Sequence, residues 1–465
     1  MNRQPSSLVP SADTLLSVLR WRAEHQRDHP AYVFLRDGLN PDAPLTYGTL
    51  DARARAIAGF LQSRFHTGDR LLLAFPPGPD FIEAFWGALY AGLVAVPVPP
   101  LDAFRLKQSA ARFAGIAADA GCAGALCAAQ TLITIREQGM AQLPIPPEHC
   151  CTVEEADSSW ASTWAPVRSD STTLAYLQYT SGSTSAPKGA MVSHGNMVHQ
   201  SRCITEAGGY GVDSVTLSWM PHFHDYGLVK GIIHPAWIGR PSYILSPLTF
   251  LKRPRRWLEA IQRYKVTHSG GPNFAYRHCV DSITPEERAG LDLSGWRVAS
   301  CGAEPIAAET IDRFADAFAT AGFRREAFFP AYGMAEYTLL ISLKRAGAPP
   351  RVESLDPQAL EQGVVRAAGT AEISPRKVVS CGAPVGDTLV AIVHPETQGR
   401  CASQQVGEIW LRGASTTLGY WNNAEETEQT FRAILRDTGE GPFLRTGDLG
   451  FIKDGEVYVT GRLKD

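Results

Sequence analysis

Apolar residues come in short runs separated by longer amphipathic stretches, and the runs stop at glycine, proline or hydroxyl residues. RLLLAF, PPGPD, FIEAFWGALYAG and LVAVPV predict strand, turn, helix and strand over residues 70–98. AGALCA (123–128) and LAYLQYT (174–180) read as buried strands, and SHGNMVHQSRCITEAGG (193–209) as a helix capped by Ser193 or Asn196. VTLSWMP (215–221) and PSYILS (241–246) read as strands, and PRRWLEAIQRYK (254–265) as an amphipathic helix. VTHSGG and WRVASCG are short apolar runs ending in glycine, as strands feeding site loops do. AETIDRFADAFATAG (308–322) has helical spacing through Ile311, Phe314, Ala315 and Phe318. This alternation predicts an α/β fold of parallel sheet covered by helices.

From about Val378 the texture changes to short alternating strands, TLVAIVHPET, GEIWLRG and GEVYVTGR, which predict a smaller β-rich part. Residues 344–377 between them have weak periodicity and read as an insertion or linker rather than core. The most apolar stretch, 71–101, carries Asp80 and Glu83 and is split by prolines, so it cannot span a bilayer. A net charge of −3 leaves no basic footprint for nucleic acid. Nine cysteines at irregular spacing, with no CxxC, fit reduced thiols and a cytoplasmic location better than disulfides or structural zinc. The adjacent Cys150 and Cys151 leave a redox reading open.

The strongest chemical signal is YTSGSTSAPKG, Tyr179 to Gly189, lying between a strand and a helix. Small residues let backbone wrap a tetrahedral anion, hydroxyls and N–H groups donate to its oxygens, and Lys188 adds a cation. It is not GxxxxGK[ST], so an ordinary P-loop is not indicated, and a flexible loop is the plain alternative.

The TSGSTSAPKG segment resembles the phosphate loop of the adenylate-forming superfamily. PHFHDYG (221–227), CGAEPI (301–306), YGMAE (332–336), RTGDLG (445–450) and GRLKD (461–465) resemble its other motifs in the family's order. Ser185 stands where glycine is commoner and Ala335 where many relatives carry threonine. Both departures, GPNFAY within 269–279, and the long interval from Glu336 to Gly382 resemble the fatty acyl-AMP ligase branch. The resemblance implies that 1–465 is an acyl-CoA synthetase-like, AMP-binding large domain. Two parallel-sheet α/β subdomains would occupy about 1–377, with a branch-type insertion at about 345–377, or an ordinary surface loop there. A β-rich distorted barrel would occupy about 378–465. The resemblance further implies that the small C-terminal domain is absent, that Asp465 matches the hinge, and that turnover is poor.

The same resemblance implies activation of a fatty acid with ATP and Mg²⁺, giving acyl-adenylate for an acyl carrier protein. ATP would meet Thr180, Ser181, Gly182, Ser183, Thr184, Gly302, Ala303, Glu304, Tyr332, Gly333, Met334, Asp448 and Arg462. Lys188, His224 and Glu336 would be catalytic, Glu336 with Thr184 would hold the metal, and Phe223, Asp225, Gly231, Asn273 and Phe274 would meet the acid. In that reaction the carboxylate itself attacks phosphorus, so positioning and charge neutralisation suffice. Trp219, Met220, Phe223, Tyr226, Ile232 and Phe274 are candidates for an apolar tunnel, with core packing as the alternative. HFHD invites a metal site, with His222 and His224 on one strand face, but lacks a third ligand. Asp225 also suits an amino-acid adenylation domain, where it would pair with an ammonium. An acyl-CoA synthetase and a non-catalytic binding module on the same fold are the remaining rivals.

Overall fold

The computed structural model describes residues 12–101, 106–137, 143–179, 187–369 and 374–464. They fall into two compact units, each built on its own strands.

The first unit comprises Met1–Ser201, Ser218–Pro247 and Thr417–Ala424. Its sheet runs Cys150–Thr152, Gly124–Cys127, Arg70–Ala74, Val94–Val98, Leu174–Tyr179, Gly189–Ser193. All neighbours are parallel except the last pair, which is antiparallel. Strands buried on both faces need near-continuous apolar sequence, and Leu72, Val96, Ala125 and Leu177 have no exposed surface. Helices Tyr47–Gln62 and Pro79–Tyr90 pack closely: a Cβ on Gly87 would lie 2.4 Å from Ile57 Cγ2. The strand Pro30–Leu35 pairs in parallel with Ser242–Leu245. Thr417–Ala424 covers the edge of Gly189–Ser193, because Met191 N–H donates to Gly419 O (2.9 Å) and Trp421 N–H to Gly189 O (2.8 Å).

The second unit comprises Arg202–Leu217, Leu248–Thr416 and Glu425–Asp465. His268–Gly271, Val298–Cys301 and Phe328–Gly333 are parallel neighbours, followed by antiparallel Leu340–Leu343 and Ala383–Pro384. Buried Trp257 packs edge to face on Trp296, with rings 5.1 Å apart, and Tyr276 edge to face on Phe314. A separate antiparallel sheet is formed by Leu389–Val393, Gly407–Arg412, Leu444–Lys453 and Glu456–Arg462.

The weakly periodic 344–377 segment contains more structure than its pattern announces. Val352–Leu355 pairs with Arg376–Val379, and helix Pro357–Glu361 lies between. Leu355, Leu360 and Val365 bury against Phe451 and Tyr458, so the segment adds to the core. Strands of four residues are too short to display a period of two. Residues 370–373 lie outside the described part. No helix of the described residues is long and apolar enough to cross a membrane.

Candidate active site

In the second unit, Tyr332 is the penultimate residue of the strand Phe328–Gly333, opposite Ser342, and a register shift follows it. The chain then turns sharply: Met334 N–H donates to Leu339 O (2.8 Å), and a 3-10 turn spans Ala335–Tyr337. A Cβ on Gly333 would meet Leu339 O at 2.0 Å, so only glycine fits this turn. Tyr337 donates to Thr388 (2.9 Å) and Thr338 to Ser415 O (2.8 Å), which fixes the two residues that follow the buried Glu336.

Tyr332 is 9 % exposed and its hydroxyl donates to Asp448 Oδ2 at 2.6 Å. Burial first, then the Asp448 charge, pushes the Tyr332 phenol far above its usual range, so it stays a donor. Asp448 faces Arg462 across the ladder Leu444–Lys453 with Glu456–Arg462, and Arg462 Nε lies 3.5 Å from Asp448 Oδ1. Thr446 holds the turn, accepting from Asp448 N–H (3.0 Å) and donating to Ile409 O (2.8 Å).

Sequence reading missed Glu408. It is 1 % exposed, takes a forked contact from Arg445 (2.8 Å at Nη2) and accepts from Gly447 N–H (3.2 Å). A carboxylate inside the apolar run GEIWLRG was the available signal.

Gly302, Ala303 and Glu304 follow the strand Val298–Cys301. A Cβ on Gly302 would lie 2.8 Å from Ala331 O, so this loop and the Tyr332 strand approach each other directly. Ala303 has φ +66°, a left-handed geometry that costs an alanine about 1–2 kcal/mol. Glu304 Oε1 accepts from Phe274 N–H (2.5 Å), and Asn273 Oδ1 accepts from Ala307 N–H (3.1 Å). These two bonds bind the start of helix Asn273–Ser282 to the glycine loop.

In the first unit, Thr180, Ser181, Gly182, Ser183 and Thr184 lie outside the described residues. Tyr179, just before them, pairs with Gly189, and its hydroxyl donates to Asp119 Oδ2 (2.5 Å). Lys188 is half-buried with Nζ 5.3 Å from the Tyr420 ring centre.

The HFHD segment is not a strand. His224 caps the helix Asp225–Leu228, which continues through a π-helical turn, Val229–Ile233, into His234–Ile238. The two histidines therefore do not share a strand face, and no group of three His, Cys, Asp or Glu among the described residues could hold a metal. The wide turn was not legible in sequence; such turns recur at functional sites. Burial pulls the Lys230 ammonium within it down to about 8.

His224 Nδ1 lies 2.6 Å from Asp225 Oδ1, within ion-pair range of its carboxylate. Desolvation is the largest single influence on His224 and lowers its pKa, but the hydrogen bond and charge of Asp225 together raise it. Gln178 Nε2 donates to Phe223 O (2.9 Å) and so anchors this segment to the parallel sheet. His222, 6 % exposed, lies 4.0 Å from the Phe81 ring, and burial pushes its imidazole down to about 3. Its Nε2 has no hydrogen-bond partner.

His222, Phe81, Met220, Gly231 and Ile232 help line a cavity of about 20 Å³. Met220, Gly231 and Ile232 among the expected acid-side residues thus line one space, whereas Trp219, Phe223 and Tyr226 are not part of that lining.

The AMP-binding enzyme family matches residues 19–421. A medium-chain fatty acid acyl-carrier-protein ligase, JamA of Moorena producens, is 47 % identical over 460 residues, covering 98 % of this chain and 78 % of that protein. A 4-hydroxyphenylalkanoate adenylyltransferase of Mycobacterium marinum is 35 % identical, covering 100 % of this chain and 76 % of that protein. The crystal structure of a fatty acyl-adenylate ligase from Legionella pneumophila, in complex with acyl adenylate and pyrophosphate, superposes with TM-score 0.90 at 39 % identity. That match covers 98 % of this chain and 78 % of the other.

Proposed function

The chain belongs to the AMP-binding enzyme family, in its fatty acyl-AMP ligase branch, and on that footing we propose the chemistry of its residues as follows. It activates a fatty acid with ATP and hands the acyl group to the thiol of an acyl carrier protein. A carboxylate oxygen of the acid bonds to the α-phosphorus, the bond to the bridging oxygen breaks, and pyrophosphate leaves with that electron pair. Carrier-protein sulfur then replaces AMP at the carbonyl carbon.

The Tyr332–Asp448–Arg462 group carries this reading. Asp448 has two oxygens for a vicinal diol, and the Tyr332 ring would stack on a base at the end of a strand that the Gly302 loop approaches closely through Ala331. Arg462, 74 % exposed at its side chain, is able to swing towards ribose or phosphate. Gly333 and Met334 complete the strand end, and Ala303 and Glu304 hold the neighbouring loop. In the first unit, His224 with Asp225 would orient the carboxylate, Lys188 would meet phosphate oxygens, and Phe223 and Gly231 would line the acyl entrance.

Glu336 fits a hard divalent cation, being a buried carboxylate in a turn whose next two residues are held by hydrogen bonds. With no three-residue cage among the described residues, Mg²⁺ would lean on Glu336, Thr184 and the substrate's own phosphates, where it would supply charge neutralisation. Phe274 and Asn273, tied to the glycine loop, would present the acid to the nucleotide side. Nine free cysteines support a reducing, cytoplasmic setting.

ATP–pyrophosphate exchange across carboxylic acids of graded length tests the reading. Exchange with fatty acids that falls on Asp448→Asn supports it, and exchange with amino acids alone would refute it.

A further inference from the structure

A short helix in the second unit presents apolar surface to solvent. Helix Pro247–Lys252 buries Phe250 completely against the Trp257 ring, 5.5 Å away. On its other side Leu248 is 64 % exposed and Leu251 is 47 % exposed. A spacing of three places the two leucines on one face. Exposed Lys252 and Arg253 follow directly.

His278 joins a second helix to this surface. Its Nε2 is 3.0 Å from Leu251 O and its ring 5.7 Å from that of Phe250. The adjoining Arg277, on helix Asn273–Ser282, is exposed. Local acids are already engaged: Arg255 pairs with Glu259 (3.1 Å) and Glu287 (3.6 Å), Arg256 with Glu259 (3.1 Å), and Arg313 with Asp281 (2.8 Å). Among the described residues Lys252, Arg253 and Arg277 form no ion pair.

Two exposed leucines bordered by three unpaired cations, in a chain of net charge −3, make a local surface for a small acidic partner. The patch is too small for a nucleic-acid footprint, and a helix of six residues offers too little apolar length to lie in a bilayer. It also adjoins the start of Asn273–Ser282, where Phe274 lies 6.5 Å from Phe250.

We propose that Leu248, Leu251, Lys252, Arg253 and Arg277 dock an acidic face of the acyl carrier protein, the leucines receiving an apolar side chain and the cations its carboxylates. This rests on the carrier-protein reading above. It adds where the carrier binds.

The test uses the 465-residue chain, a panel of holo acyl carrier proteins read by fluorescence anisotropy, and ATP–pyrophosphate exchange on the same preparations. The unaltered chain should bind at least one carrier, more weakly as salt rises. Lys252→Glu with Arg253→Glu should weaken that binding about tenfold or more, as reversing rim charges turns attraction into repulsion. Leu251→Ser, a surface change, should weaken it about threefold through lost apolar contact. Exchange should stay within about twofold of the unaltered chain in both variants, since neither touches the nucleotide or acid groups. Equal carrier binding by the charge-reversed variant would overturn the proposal. So would binding to anionic phosphatidylglycerol vesicles, lost in that variant, with no carrier bound. Absence of exchange with every acid in the unaltered chain would instead overturn the ligase reading, while carrier binding still reports on the patch.

Discussion

The group around Asp448 and the cavity around His222 are built on opposite principles. At Asp448 polar atoms are already paired: Tyr332 donates to it, Thr446 braces it, Arg462 faces it, and Glu408 secures the turn below. Such a network resists rearrangement, as suits a partner of fixed chemistry. At His222 the walls are apolar, one nitrogen is unpaired, and the space is small. Substitutions there change shape before they change charge. The first region would recognise the part of a substrate that never varies, and the second would sort the part that does.

The sharpest break of this comparison comes from charge. Lys188→Ala should lower exchange about 10²–10³-fold, the usual loss when one preorganised donor to developing charge is removed. Steady-state exchange kinetics measure it, and a loss below about threefold would remove Lys188 from the chemistry.

Asp448→Asn keeps the shape but removes the charge. It should raise the KM for ATP about 10–100-fold, the scale of hydrogen bonds to a charged group, while the KM for fatty acid stays within about twofold. The mirror experiment is Gly231→Val. A Cβ added there would lie 3.0 Å from Ser218 Oγ, so the larger side chain should fill the cavity. The KM for longer acids should rise about tenfold with little change for ATP, and equal effects on both substrates would erase the division of labour.

The last effect concerns stability and reads the His222 wall without substrate. The imidazole of His222 is held at about 3 against 6.5 when unfolded, so the unfolded state binds its proton first as pH falls. Stability should therefore decline from about pH 6.5 towards 3, by up to about 1.4 kcal/mol per pH unit for this group. His194, lowered to about 4 by burial, acts in the same direction. His224 is raised, so its contribution is present below 6.5 and is lost as pH rises through its folded value. Urea unfolding at pH 7 and pH 5 should show a shallower acid loss in His222→Leu than in the unaltered chain.

Much of this was legible because loops at strand ends announce themselves with glycines and hydroxyls. The motifs around Tyr332, Asp448 and Arg462 could be grouped before any coordinates, and the structure brings those side chains within hydrogen-bond or ion-pair range. Long-range pairing was not legible. Nothing local in Thr417–Ala424 says that it covers Gly189–Ser193, nor that Glu304 and Asn273 lace two distant loops together. HFHD misled for a different reason. Its aromatic and histidine content suits a strand, yet His224 caps a helix whose apolar positions are set by the wide turn that follows. Tertiary burial of Tyr226, Leu228 and Val229 outweighs that local preference.

The direct test of acid activation is the fate of a carboxylate oxygen. The chain should be incubated with ATP, Mg²⁺ and a fatty acid labelled with ¹⁸O in both carboxyl positions, then quenched with hydroxylamine. If the carboxylate attacks the α-phosphorus, the AMP released carries one heavy oxygen and the pyrophosphate carries none. AMP without label, or label in inorganic phosphate accompanied by ADP, would contradict the account.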